Sequence, residues 1–310
     1  MEAILNAAAP LFALILTGYL CGRFGLFARE ATASINRFAA YLALPALLFV
    51  AMTRITPAQI GQFGFIAAYF IPIAAIYLAG YALSRRRGHG LAAANMDGLS
   101  ASYGNVGFMG VPLCLLVFGE DGLQPAVVAT LVTGCVQFLF AIAMIEIDRK
   151  RGASALRTAG GVAATLLVNP LCVAPLAGLA IGVAGVPLPV PVERFASLLG
   201  GAATPCALIC VGLFFADQAG AKPEPGAVGA TLALKLFAQP ALAALLAFYV
   251  FDMPSLWAQA AVLLSALPIG AGAFTVAQLY GLRTAATSGA IMLSHVASVA
   301  TLSLLLVWLG

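Results

Sequence analysis

Long apolar runs alternate with short polar punctuation along the whole chain, and the punctuation consists of arginine clusters, prolines and glycine-rich turns. At 1.5 Å rise per residue, a run of about 20 apolar residues matches the roughly 30 Å hydrocarbon layer of a bilayer. The pattern predicts ten membrane-spanning helices, near 3–24, 33–53, 60–83, 92–118, 124–147, 160–185, 194–216, 227–250, 255–280 and 285–309. Two of these runs are interrupted. The fourth contains "YGNVGFMGVPLCLL" at 103–116, and the ninth contains "SALPIGAGAF" at 265–274. Glycine and proline weaken or break a helix.

Composition removes the soluble alternative, since the chain is 63% hydrophobic and 8% charged where a soluble domain carries about a quarter charged residues. Charge placement sets the orientation. With the N-terminus outside, twelve basic residues fall in cytoplasmic loops, among them Arg85, Arg86 and Arg87, against only Arg54 and Arg194 outside. That asymmetry follows the positive-inside rule and places both termini outside a cell (inner) membrane. The net charge of +4 therefore describes cytoplasmic loops, not a nucleic-acid surface. The first run has no basic residue before it, so it reads as a retained span, not a signal peptide. The six cysteines lie in or at the ends of apolar runs and read as small packing residues, with no disulfide framework and no metal site.

An internal repeat underlies the pattern. Pro10, Gly18, Gly22, Gly25 and Pro45 recur 160 residues later as Pro170, Gly178, Gly182, Gly185 and Pro205. An offset of half the chain gives five spans per copy, and an odd number forces the second copy to enter from the opposite side. The expected organisation is a first five-helix repeat at 1–147, a cytoplasmic linker at 148–159 and a second, inverted repeat at 160–310. Inverted repeats are the architecture of secondary transporters. Gly18 with Gly22 and Gly178 with Gly182 read as close helix-packing positions, and Pro45 with Pro205 as equivalent helix breaks.

The two interrupted spans occupy equivalent places in the two copies. Irregular backbone at membrane depth is tolerated where it is buried in protein or lines a cavity. A break exposes N–H groups at one half-helix start and carbonyls at the other half's end. Half-helix starts near Pro112 and near Gly270–Gly272 favour an anion such as a carboxylate. Asn105 adds donors and acceptors.

The run Asn105–Leu113 resembles the fourth-span signature of the auxin efflux carrier family, whose bacterial members include carriers assigned to malonate and malate. The "APLFALILTGYLCGRFGL", "YLALPALLF" and "LPIGAGAF" stretches extend the resemblance along the chain. It implies an all-α fold of ten helices in two inverted five-helix repeats, divided into scaffold and transport domains, with broken crossover helices 4 and 9. It places the family's crossover prolines at Pro112 and Pro268 and its crossover asparagine at Asn105. The fold it implies is shared with sodium-coupled bile acid carriers. The plant members' long hydrophilic loop is absent, since the stretch from Asp148 to Arg157 is only about ten residues.

The candidate substrate site is thus Asn105, Gly107, Phe108, Met109, Gly110 and Pro112 in the fourth span, Thr133 and Gln137 in the fifth, and Pro268, Gly270, Gly272 and Phe274 in the ninth. His295 and Lys235 are the coupling candidates, with Lys235 expected to snorkel to the cytoplasmic interface. Sodium would need neutral ligands, and His295 is the titrating group at depth, so coupling to H+ or Na+ stays open. No other cofactor is expected. With no buried nucleophile, base or metal cluster, an enzyme is excluded. The reading is a secondary transporter of small organic anions working by alternating access. A sodium-coupled bile-acid-type symporter and a passive channel are the alternatives, and a homodimer is compatible.

Overall fold

The computed structural model describes residues 2–54, 61–149, 170–217, 225–282 and 284–309. Most of the expected linker, from residue 150 onward, lies outside the described residues, as do Lys150, Arg151, Arg157, Lys222 and Arg283. Among the described residues the chain is helical throughout and has no strand. Six helical runs are long and apolar enough to cross a membrane: Glu30–Thr53, Phe63–Arg86, Val106–Gly134, Val190–Asp217, Val228–Val250 and Gly289–Leu309. Further apolar material lies in the shorter helices Phe12–Arg23, Val173–Val183 and Ser255–Ser265. Large apolar side chains such as Phe195, Leu198, Tyr249 and Trp308 are exposed, as a lipid-facing surface requires.

The chain folds as two compact units. The first comprises Met1–Phe63, Gly107–Val128 and Val168–Ala219. In it, α1 (Glu2–Arg23) is followed by α2 (Arg29–Phe38), a π turn at Ala39–Ala43 and α3 (Leu44–Thr53). The second comprises Gly64–Val106, Ala129–Leu167 and Gly220–Gly310. It holds α4 (Phe63–Arg86) and α5 (Leu91–Ser102), and after them the chain enters a π turn at Val106–Gly110 and α6 (Val111–Phe118). A 3-10 turn at Gly119–Gly122 leads to α7 (Leu123–Leu131), a π turn at Val132–Gln137 and α8 (Phe138–Arg149). Then come α9 (Pro170–Val183), α10 (Val190–Gly201) and α11 (Ala203–Asp217) of the first unit. The rest belongs to the second: α12 (Pro225–Ala233), a π turn at Leu234–Ala238, α13 (Gln239–Leu245), a π turn at Leu246–Val250, α14 (Ser255–Ser265), α15 (Ala271–Tyr280) and α16 (Thr284–Leu309).

Prolines explain three of the wide turns. Pro45, Pro112 and Pro240 each stand second in the helix that follows a π turn. A proline has no N–H to give the carbonyl four residues back, so the hydrogen-bond ladder shifts and one turn widens.

Within the first unit, α1 packs on α11 and α9 packs on α3. Glycines make both approaches possible. A Cβ on Gly18 would collide with the Ile209 carbonyl, and one on Gly178 with the Phe49 carbonyl; both members of one pair lie 160 positions from those of the other. Gly22 faces Leu213 and Ala216, while Gly182 faces Met52 and Thr53. These glycines therefore serve close helix packing, as read from their spacing. The helix ends match as well. Gly25 has φ 71° and Gly185 φ 64°. In each the following residue donates back to the sixth-last position, Leu26 N–H to Cys21 O at 2.9 Å and Val186 N–H to Ile181 O at 3.3 Å, which is a Schellman cap.

Candidate functional site

In the second unit, α5 stops at Ser102 and α14 stops at Ser265, and the segments that follow them cross. Tyr103 is extended, at φ −80° and ψ 107°. Gly104 pairs antiparallel with Ile269. The Asn105 N–H donates to Pro268 O at 2.9 Å, and the Gly270 N–H donates to Tyr103 O at 2.9 Å. Each interrupted segment therefore supplies partners for the other's orphaned backbone groups, which is what lets the interruption persist in an apolar surround. The Ile269 N–H is taken by Ser294 Oγ at 3.0 Å, and that hydroxyl donates to Ile291 O at 2.7 Å.

Glycine is required where the Tyr103 ring lies against α15. A Cβ on Gly270 would come within 2.9 Å of the ring and 2.8 Å of the Gly104 carbonyl, and one on Gly272 within 2.6 Å of the Tyr103 hydroxyl. Ala271, the first residue of α15, follows directly, so the N-terminal end of a ten-residue helix opens at the crossing. Phe274 lies in its second turn.

Asn105, 3% exposed, places Nδ2 at 3.1 Å from His295 Nε2. His295 Nδ1 lies 2.9 Å from the Ile291 carbonyl, and Ser298 Oγ donates to His295 O at 2.7 Å. Gln137 Nε2 donates to Ser102 Oγ at 2.7 Å, while its Oε1 is buried without a partner. Thr133 Oγ1 lies 2.9 Å from Tyr69 Oη.

Lys235 departs from expectation. It is completely buried and does not snorkel: its Nζ donates to Ser265 O at 2.8 Å, at the carbonyl end of α14. A helix's last carbonyls have no internal partner and carry its negative end, so they hold an ammonium that would otherwise reach for water. A Cβ on Gly104 would lie 3.7 Å from the same Nζ, so the ammonium is beside the crossing. Among the described residues no carboxylate lies within ion-pair distance of it.

The structure thus brings together Asn105, Pro268, Gly270, Gly272, His295 and Lys235. Gly107, Phe108, Met109, Gly110 and Pro112 belong to the first unit, where Phe108 packs against Ala43, Leu44 and Ala203. The helical run resumes at Val106, so the interruption lies at residues 103–105, upstream of Pro112 where a half-helix start was expected. Pro45 is buried near the start of α3, and Pro205 is exposed near the start of α11. Tyr103, Ser102 and Ser294 escaped the sequence reading. For Ser294 the one legible signal was the "SH" at 294–295, a hydroxyl beside the histidine already singled out.

Residues 3–306 match the family described as "Membrane transport protein". The chain belongs to the membrane transport protein family. Its resemblance to auxin efflux carriers is part of the same finding. It is 31% identical over 310 residues, 99% of this chain and 96% of the relative, to a protein of Rhizobium meliloti (strain 1021) named "Putative malonate transporter". It is also 32% identical over 124 residues, 37% of this chain and 38% of the relative, to an uncharacterized transporter of Methanocaldococcus jannaschii. The membrane transport protein family and the apolar helices together make this a multi-pass membrane protein.

Proposed function

We propose that this chain is a secondary active transporter of small organic anions, carboxylates of the malonate or malate kind, working by alternating access at the crossing of 103–106 with 266–270. The observation that carries this reading is Lys235. It is the one buried Lys, Arg, Asp or Glu among the described residues, it lies beside the crossing, and it has no acidic partner there. A buried cation without a counter-ion is costly, and an anionic cargo supplies one. The start of α15 adds positive partial charge at the same place. Asn105 adds a polar amide at the crossing, with its Nδ2 at 3.1 Å from His295 Nε2.

The architecture we propose is ten helices in two inverted repeats, 1–147 and 160–310, in the inner membrane with both termini outside. The paired contacts of Gly18 with Ile209 and Gly178 with Phe49, and the matching caps at Gly25 and Gly185, support it. The carboxylate reading is supported by the Rhizobium relative, which carries the name "Putative malonate transporter".

The test is uptake of labelled malonate into proteoliposomes, with counterflow from preloaded unlabelled substrate. A saturable, counterflow-competent flux is expected for carboxylates and none for amines. Flux that neither saturates nor exchanges points to a channel, and preference for amines overturns the anion reading.

A further inference from the structure

We propose that Lys235 is a built-in cation that occupies the place of a bound sodium ion, so that the crossing works without sodium. The inference rests on reading the crossing as the transport site. In carriers with interrupted helices, the half-helix carbonyl ends coordinate the coupling cation while the half-helix N-termini face the anionic cargo. Here the carbonyl end of α14 is already taken: Lys235 Nζ sits 2.8 Å from Ser265 O. Two further buried oxygens belong to the residue that holds the ammonium and to the helical turn that follows Lys235. Ser265 Oγ and, one helical turn beyond Lys235, Gln239 Oε1 are buried oxygens without partners. Neutral oxygens of this kind are the ligands that a hard cation takes. Gly104 leaves the adjoining space free of side chain, since a Cβ there would stand 3.6 Å from Leu264 O and 3.7 Å from Nζ. An ammonium and a sodium ion each carry one positive charge. Two of them in one completely buried position repel strongly, so the tethered one excludes the mobile one.

The chemistry makes the substitution readable. Truncating Lys235 to alanine removes the charge and the four-carbon stem together, leaving the Ser265 and Leu264 carbonyls facing an unfilled space. That space should then accept sodium, or an alkylammonium whose chain replaces the missing stem.

The experiment uses the purified full chain in detergent. Thermal melting of the wild type, Lys235→Ala and Lys235→Arg is followed while sodium chloride replaces choline chloride at constant ionic strength, and separately while n-butylammonium chloride is added. The wild type and Lys235→Arg should melt at the same temperature in sodium and in choline. Lys235→Ala should melt lower in choline and recover saturably with sodium or butylammonium, because a ligand that binds only the folded state stabilises it. In proteoliposomes, wild-type malonate uptake should change by less than about two-fold when a sodium gradient is imposed, a difference well under 1.4 kcal/mol. A saturable sodium stabilisation of the wild type, or uptake raised about tenfold by the gradient, overturns the proposal. So does a folded Lys235→Ala protein that responds to neither cation. If Lys235→Ala does not fold, the sodium responses of the wild type and Lys235→Arg decide. The melting measurements contain no cargo, so they read the cation site even if the carboxylate reading fails.

Discussion

The Asn105 amide donates to His295 Nε2 across 3.1 Å, and this contact assigns the imidazole's tautomer. The Ile291 carbonyl, 2.9 Å from Nδ1, can only accept, so Nδ1 carries the ring proton. In this arrangement Nε2 accepts from the Asn105 amide. A second proton on Nε2 would leave two donors facing each other unless the Asn105 amide turned over, presenting Oδ1 to the ring and Nδ2 to the crossing. Protonation of His295 and the orientation of the Asn105 amide are thus linked.

Asn105→Ala removes a buried hydrogen bond to His295 and the amide at the crossing. The cost in stability is about 1–3 kcal/mol. Malonate uptake should vanish while the protein still elutes as a folded species. Undiminished uptake would mean that cargo binds elsewhere.

His295→Gln keeps a polar side chain and removes titration. In the wild type, uptake should rise as external pH falls, because the imidazolium adds positive charge and turns the Asn105 amide donors toward the anion. The variant's uptake should be flat with pH. A full pH response in the variant excludes His295 as the proton's carrier.

Gly270→Ala and Gly272→Ala each force a Cβ into the Tyr103 ring, whose own carbonyl is fixed by the Gly270 N–H. Overpacking of this kind costs about 1–3 kcal/mol. Both variants should melt lower and lose uptake. Gly107→Ala, where a Cβ meets nothing within 4 Å, is the control and should melt like the wild type.

Much of this was legible before the structure, for physical reasons that differ by residue. Gly18, Gly22 and Gly25 could be matched to Gly178, Gly182 and Gly185 because a close approach and a left-handed cap each demand glycine, so the residue type itself carries the geometry. The helix ends at Ser102 and Ser265 lie where glycine and proline pointed for the same reason, but the half-helix start expected near Pro112 does not coincide with where the helix resumes. A proline marks where the hydrogen-bond ladder shifts, and the helical run had already resumed at Val106. Lys235 was misread because a lysine's reach is set by its acceptor. Nothing local to "LALKLFAQP" reveals that Ser265, thirty residues on, ends a helix whose carbonyl would hold the ammonium. Tyr103 was invisible because its role depends on two distant glycines.

The helix pairs α1 with α11 and α9 with α3 give a symmetry test. Gly18→Val and Gly178→Val each drive a side chain into a backbone carbonyl of the partner helix, which cannot give way as a flexible side chain can. Both should lower the melting temperature by comparable amounts. A large loss for one and none for the other would argue against equivalent packing of the two copies.

Orientation is tested best at the 3-10 turn Gly119–Gly122. Gly122 is unsuitable for cysteine labelling because a Cβ there would stand 2.5 Å from the Cys114 carbonyl. Asp121 is exposed. The neighbouring Glu120 pairs with Arg54 at 3.3 Å, and Arg54 also reaches Glu193 at 3.0 Å. Arg54 is 51% exposed and its partners 71% and 41%, so these pairs contribute little to stability, within about 1 kcal/mol, but they mark a polar rim. In the second unit, Arg85 and Arg86 end α4. With native cysteines replaced, Asp121→Cys should react with a membrane-impermeant maleimide from outside intact cells. Arg86→Cys should react only after permeabilisation, because the positive-inside rule puts that arginine run in the cytoplasm. The reverse pattern would place both termini of the proposed topology inside and exchange the faces on which the two proposed repeats enter the bilayer.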